Sequence, residues 1–234
     1  MLFDNAHREL ALRIIQSLKV DGILPKGQAR LEDIEDRGEF KVPFKVLMGG
    51  KKYFLALNKL GISYHKQMQH REKHPEMFPE VLHYGTHESV DYSLERFHKI
   101  TPIGRFSIPE NQEKEWAYEI GRVSGRLFRI EDSYLEDRGL VHRDPRNYHI
   151  TNTKRKSFMI IDLAHCRGGD LHDVVGVFTT NTVGESNLSL TINHPHDFFR
   201  GFAETTPITV GRLEDVRAEV PTREQNRDYK VHMR

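Results

Sequence analysis

Near the start of the chain, Leu10, Ile14, Ile15 and Leu18 recur at helical spacing. With Asp4 or Asn5 as a cap, they predict an amphipathic helix running to about Lys19. Residues 22–37 are mixed and polar and read as loops or an irregular strand. Residues 39–48 and 51–58 then read as two strands, and Gly49-Gly50 between them is a two-residue hairpin signal. Residues 63–74 form a polar segment that fits a helix ending before Pro75. Residues 79–84 and 92–97 are short apolar strands separated by the polar turn 85–91.

From Ser107 the pattern changes. Ser107 and Glu110 are spaced as a capping box, with Pro109 near the first turn. Trp116, Ile120, Val123, Leu127 and Ile130 follow at alternating spacings of four and three, which predicts a helix to about Tyr134. Gly139 ends that helix or its continuation. Leu140-Val141 and residues 149–151 read as short strands, and 158–163 as a buried strand beyond the polar turn 152–156. After Gly168-Gly169, where a sharp turn or a plain loop fits equally well, 170–178 and 196–204 are expected helices. Residues 179–193 are polar, and the tail from Arg212 is charged. The expected fold class is α+β. A strand-rich part, 1–97, carries an extra N-terminal helix, and 98–234 is mainly helical.

Composition narrows the function classes. The 234 residues are 37% hydrophobic and 29% charged, as in globular proteins, and suffice for one large domain or two small lobes. A formal net charge of +1 gives no reason to expect a nucleic-acid partner. The lone Cys166 excludes an intrachain disulfide and a cysteine-based zinc site, and is compatible with a reducing cytosol. There is no basic-then-apolar leader pattern and no run of about 18 apolar residues, so a cytoplasmic protein without a transmembrane segment is expected.

One stretch carries recognisable chemistry. Residues 139–167 contain His142-Arg143-Asp144, then His149 five residues after Asp144, then Asp162 at the end of the apolar run 158–161. An acid that orients an attacking hydroxyl, followed by side chains that hold the metal ions screening a nucleotide's phosphates, is the order phosphoryl transfer uses. Any one of these residues alone reads equally well as a surface ion pair or a strand cap. Together, in order and around a strand–turn–strand, they favour chemistry.

The segment resembles the catalytic and metal-binding loops of the protein-kinase-like fold. His142-Arg143-Asp144 matches the family's His-Arg-Asp, and Ile161-Asp162-Leu163 stands where protein kinases have Asp-Phe-Gly. A His in place of the usual Asn, and Ile-Asp-Leu in place of Asp-Phe-Gly, are similar to the bacterial lipopolysaccharide core kinases that phosphorylate heptose or Kdo sugars. The close match covers about 30 residues, and the order of elements extends it over 39–163. The resemblance implies a two-lobed fold with a small β-rich N-lobe and a reduced C-lobe, ATP and Mg2+ as cofactors, and a saccharide or glycolipid hydroxyl as acceptor. It implies Asp144 as the base or hydroxyl-orienting acid, with His142 and Arg143 in support. It implies His149 and Asp162 at the metal, with Asn147 a rival for the amide role. Residues 94–97, including Glu95 and Phe97, resemble the interlobe linker whose backbone meets the adenine edge. A glycolipid acceptor implies a place of work at the inner face of a membrane.

Several positions depart from the pattern. The strand lysine expected by the resemblance falls on Ala56, or on Asn58 if the strand is aligned with Val-Ala-Ile-Lys. Lys59 is the nearest basic residue, and it equally reads as a solvated strand-end lysine. Glu72 is the only carboxylate in the helix that should supply the lysine's partner. No Gly-x-Gly-x-x-Gly precedes the strands, and no Ala-Pro-Glu follows Asp162, with about 70 residues remaining. The departures point away from an ordinary protein kinase. Besides a sugar kinase they leave open a catalytically degenerate kinase-like binding module, a divergent protein kinase, and, more remotely, a metal hydrolase using His142, Asp144, His149 and Asp162.

Overall fold

The computed structural model describes residues 2–34, 41–58, 64–98, 100–103, 106–130, 138–161, 166–179 and 189–220. The chain divides into two compact units, residues 1–99 and 100–234.

The first unit is a five-stranded antiparallel sheet with one helix on each side of its sequence midpoint. Helix α1 is Leu2–Val20, and α2 is Tyr64–Lys73. The strands are β1 (Arg30–Asp33), β2 (Lys41–Met48), β3 (Lys51–Asn58), β4 (Val81–His87) and β5 (Val90–Arg96). Their order in the sheet is β1-β2-β3-β5-β4. Alternation sorts each strand into two faces. One face carries Val42, Phe44, Val46 and Met48 from β2, Tyr53, Leu55 and Leu57 from β3, and Tyr92 and Leu94 from β5. These form one core with Leu10, Ala11, Ile14, Ile15 and Leu18 of α1. Each fully buried aliphatic side chain contributes roughly 1.5–3 kcal/mol before entropy is counted. The apolar stripe of α1 therefore becomes the cover of this sheet face.

The β2–β3 hairpin turns on Gly49 (φ 56°) and Gly50 (φ 72°), both left-handed, as the sequence predicts. The β4–β5 turn uses Glu88 and Ser89 at φ 48° and 65°, where side chains are disfavoured. Arg13 on α1 holds Glu88 with two hydrogen bonds of 2.9 and 2.8 Å. The irregular region of the sequence reading contains β1, which pairs with β2 from Arg30↔Leu47 to Asp33↔Phe44.

The second unit is built around α3 (Glu113–Phe128). Strands β6 (Thr101–Pro102), β8 (Tyr148–Asn152) and β9 (Ser157–Ile160) form a small sheet in the order β6-β8-β9. Strand β7 (Arg138–His142) pairs with β10 (Cys166–Asp170). Helices α4 (Leu171–Thr179), α5 (Ser189–Asn193), α6 (Pro195–Thr205) and α7 (Val210–Glu219) complete it. Trp116, Tyr148, Phe178, Phe198, Phe199 and Phe202 are all less than 2% exposed. Helices α3 and α6 meet through glycines. A Cβ at Gly121 would overlap the Phe198 carbonyl, and one at Gly201 would overlap the Tyr118 carbonyl.

Three expectations are corrected here. The Ser107–Glu110 capping box does not form: a 3-10 turn over Glu110–Gln112 precedes α3, and neither has a side-chain cap. Helix α3 ends at Phe128, because the chain leaves the helix there. Gly168 and Gly169 lie inside β10, opposite Leu140 and Gly139, where strand pairing overrides their turn propensity. A Cβ at Gly169 would press on Asp173 Oδ2 at 2.7 Å, so the glycine serves close approach. The charged tail from Arg212, for which the sequence leaves a helix and a partly mobile segment open, begins within the helix α7, which Thr209 caps by accepting the Arg212 N–H at 3.2 Å.

Candidate active site

The second unit assembles the His-Arg-Asp segment from β7, a 3-10 turn over Pro145–Asn147, and the β8–β9 hairpin. His142 ends β7 and is fully buried. The Asp144 backbone N–H donates to its Nδ1 at 3.1 Å. That fixes Nδ1 as the acceptor, so Nε2 carries the proton and donates to the Ile161 carbonyl at 3.2 Å. Ile161 is held from its other side too, because its N–H donates to the Asn147 carbonyl at 3.0 Å. The Asn147 N–H in turn donates to the Asp144 carbonyl at 3.1 Å, closing the 3-10 turn. One imidazole and one turn thus register the Asp144 loop against the residue that immediately precedes Asp162.

Asp144 is half-buried, which leaves its carboxylate within reach of a ligand. His149 is 9% exposed and sits in β8 opposite Met159 of β9 and Pro102 of β6. Its neighbour Tyr148 points the other way, into the core. There the Tyr148 hydroxyl meets Ser124 Oγ of α3 at 3.1 Å, and burial pushes the phenol's pKa up. The Tyr148 ring also stands edge-on to His142 and to Phe178, at centroid distances of 6.1 and 5.7 Å. Arg143 is about half exposed and pairs with Asp173 at 3.2 Å. The Asp173 N–H donates to the Asp170 carboxylate at 3.1 Å and the Asp170 N–H to the Asp173 carboxylate at 3.3 Å, so the two cap α4 reciprocally. Asp162 and Lys59 lie outside the described residues.

In the first unit, Glu95 is a side-chain site. It is 5% exposed and takes a two-pronged ion pair from Arg71 of α2, with contacts of 2.6 Å to each oxygen. Ser93 Oγ donates to the same carboxylate at 2.8 Å. Burial alone would raise the Glu95 pKa. The Arg71 charge and hydrogen bonds outweigh it, with Lys41 and Ser93 adding to the effect, and hold the carboxyl below its usual range. The segment read as a linker is strand up to Arg96. The Arg96 N–H donates to the Glu80 carbonyl at 2.9 Å and the Phe97 N–H to the Lys52 carbonyl at 3.3 Å. Helix α2 does carry an ion-pairing residue, but it is Arg71, while Glu72 is exposed. Sequence reading missed Arg71 because its partner is 24 residues away on another strand.

The second face of the sheet is polar at one end. Opposite β3, the β2 register is Lys41↔Asn58, Pro43↔Ala56 and Lys45↔Phe54. On β5, Ser93 faces Ala56 and Glu95 faces Phe54. Lys45 pairs with Glu32 at 2.6 Å, and its ammonium lies 5.8 Å from the Phe97 ring centroid.

Among the described residues, no three His, Cys, Asp or Glu side chains are gathered as a metal cage. Magnesium shared with phosphates takes only one or two protein carboxylates, so the lack of such a cage does not bear on that ion. The donor set does not fit a hydrolytic zinc built on His142, whose two ring nitrogens are both engaged by the backbone.

Solved structures share this architecture. An aminoglycoside 3'-phosphotransferase of type VIII matches over 90% of this chain and 97% of its own, with a TM-score of 0.60 at 14% identity. A spectinomycin phosphotransferase in complex with ADP and spectinomycin matches over 88% and 85%, with a TM-score of 0.61 at 12% identity. The fold is protein-kinase-like. The aminoglycoside phosphotransferase APH(4)-Ia adds a third match, over 87% and 97%, with a TM-score of 0.54 at 14% identity. At such identities the likeness is one of fold. No family model matches the chain, and no curated protein matches it by sequence.

Proposed function

We propose that this protein-kinase-like chain is an ATP-dependent phosphotransferase whose acceptor is a hydroxyl of a sugar or a lipopolysaccharide-type glycolipid. The observation that carries the reading is the His142 clamp, which holds the Asp144 loop in register with the start of the Asp162 segment. A phosphotransferase needs those two acids at a fixed separation, because positioning and electrostatics supply most of its rate. Asp144 orients the acceptor hydroxyl and takes up its proton. Asp162 holds magnesium, with His149 beside it at the metal or the phosphates, and the ion screens phosphate charge when bound. Arg143, through Asp173, ties the Asp144 loop to the start of α4. His149 and Ile161-Asp162-Leu163 support the sugar and glycolipid branch over protein acceptors. Among the described residues no helix is long and apolar enough to cross a membrane, so a glycolipid would be met at a membrane surface.

A second reading is a kinase-like binding module without catalysis. Asn58, at the position that the Val-Ala-Ile-Lys alignment gives to lysine, favours it.

Purified protein with magnesium and ATP decides between them. The enzyme reading expects thermal stabilisation by the nucleotide and ADP release that depends on a saccharide or glycolipid acceptor. Asp144→Asn should lower turnover by roughly 10²–10⁴-fold with nucleotide binding retained, and Asp162→Asn should remove both metal-dependent binding and turnover. Full turnover in both variants would refute the assignment, and the absence of any nucleotide shift favours the binding module.

A further inference from the structure

The hairpin end of the first unit's sheet carries charge that the proposed chemistry does not use. Lys51 and Lys52 follow the Gly49-Gly50 turn directly and are exposed. The loop between α1 and β1 comes to the same turn, because a Cβ on Gly49 would stand 3.6 Å from Pro25 Cγ, and exposed Lys26 follows that proline. Arg30 of β1 and Lys52 of β3 are both cross-strand partners of Leu47 on β2. Partners project from one face with Cβ atoms about 5 Å apart, so two cations flank this half-buried leucine.

The acids of this end do not balance the bases. Glu32 takes Lys45 at 2.6 Å and Arg30 at 3.2 Å. Its carboxyl is held below the usual range by the Lys45 hydrogen bond first, and by the charges of Lys45, Arg30 and Lys52. One acid thus serves three cations. Among the described residues no carboxylate forms an ion pair with Lys26, Lys51 or Lys52. A pocket of about 270 Å³ opens at the turn, with Leu47 and Met48 beside Gln28 and the two lysines. Cationic and apolar surface therefore lie side by side at one tip.

That combination selects the partner. Lysines spread over an open surface each add to the attraction of an anionic lipid layer, while apolar groups between them gain from the headgroup region. No aromatic ring lines the pocket, so the bases of a nucleic acid would find no stacking platform. The tip also lacks the buried aromatic or arginine anchor on which protein interfaces rely.

We propose that the β2–β3 hairpin end is the surface by which this chain docks on an anionic phospholipid membrane, with Lys26, Arg30, Lys51 and Lys52 meeting lipid phosphates and Pro25 and Leu47 the headgroup layer. The choice of a membrane rests on the glycolipid reading above, in which the acceptor is met at such a surface.

Flotation of the full chain with vesicles tests the docking surface. The wild type should float with vesicles of phosphatidylcholine and phosphatidylglycerol, stay behind with phosphatidylcholine alone, and be released as salt is raised. Lys26→Gln with Lys51→Gln and Lys52→Gln should weaken partitioning roughly hundredfold, at about fivefold per lysine. Lys114→Gln with Lys154→Gln and Arg155→Gln removes the same charge from exposed positions of the second unit and should leave partitioning unchanged. Equal losses in the two triple variants would mean diffuse charge and overturn the assignment. So would duplex DNA bound by the wild type in place of anionic vesicles. A wild type that ignores anionic vesicles yet releases ADP with a soluble saccharide overturns the docking surface and leaves the phosphotransferase standing. Vesicle binding lost only in the hairpin variant, with no turnover by the wild type, supports the surface and removes the enzyme reading. Should the hairpin triple variant not fold, the three single variants, each expected to lose about fivefold, decide the matter.

Discussion

Glu95 and Arg71 are each about 6% exposed, and each charge faces the other at 2.6 Å. Removing one member of such a pair strands the other, which costs about 3–5 kcal/mol. Glu95→Gln should therefore lower the melting temperature sharply at neutral pH. The pH dependence has a definite sign. The folded carboxyl titrates below its unfolded value, so its contribution is complete above the ordinary carboxylate range and is lost as pH falls through the folded value. Calorimetric melting should show the wild type converging on Glu95→Gln only in acid, below about pH 4. A constant gap from neutral to acid pH would contradict the pairing. At this scale the sequence was readable in part. His142, Arg143 and Asp144 stood out through their order. The role of Arg71 was invisible, because it depends on a partner supplied by a distant strand and no local spacing encodes it.

The elements were legible where one local signal sufficed. Gly49-Gly50 predicts its turn, and Leu10, Ile14, Ile15 and Leu18 predict the buried face of α1. In α3 the apolar stripe located the helix and, through Trp116, Ile120 and Leu127, its buried face, but it gave no sign of the small-residue contact beside them. Val123 is only half-buried, while Gly121, Ser124 and Gly125 are buried. A stripe of large apolar residues reports transfer free energy, whereas this contact is made by backbone against backbone and needs the absence of side chains. A Cβ at Gly125 would stand 2.8 Å from the Phe202 carbonyl and closer still to Thr205 Oγ1. Gly121→Ala and Gly201→Ala should each cost about 3 kcal/mol, the upper end of overpacking penalties, because the atoms met are rigid main chain. Denaturant unfolding measures this. Gly176→Ala, where a Cβ meets nothing within 4 Å, is the control and should be near neutral or stabilising.

Across the molecule, each unit has its own core, and the first depends on a helix that precedes all its strands. Replacing Ile14, which is fully buried, with Asp places a charge against Phe44, Val46 and Leu55. That substitution should unfold the first unit and leave the apolar sheet face open to association. Light scattering of the purified variant should show aggregates where the wild type shows none. The strand–helix order of the first unit could be read from the sequence, but the pairing of β7 with β10 could not. Two of the five β10 residues in that ladder are glycines, and the tertiary contact with Asp173 of α4 explains Gly169. The glycine crossing of α3 and α6 has one more effect. Phe198 of α6 stacks on Phe178 at 4.9 Å, Phe178 meets Tyr148, and Tyr148 meets His142. Two residues without side chains thus act as a spacing gauge for a column of four rings. The last ring is the imidazole that accepts the Asp144 N–H, so a single methyl group added at Gly201 is expected to be felt at the acid as a displacement.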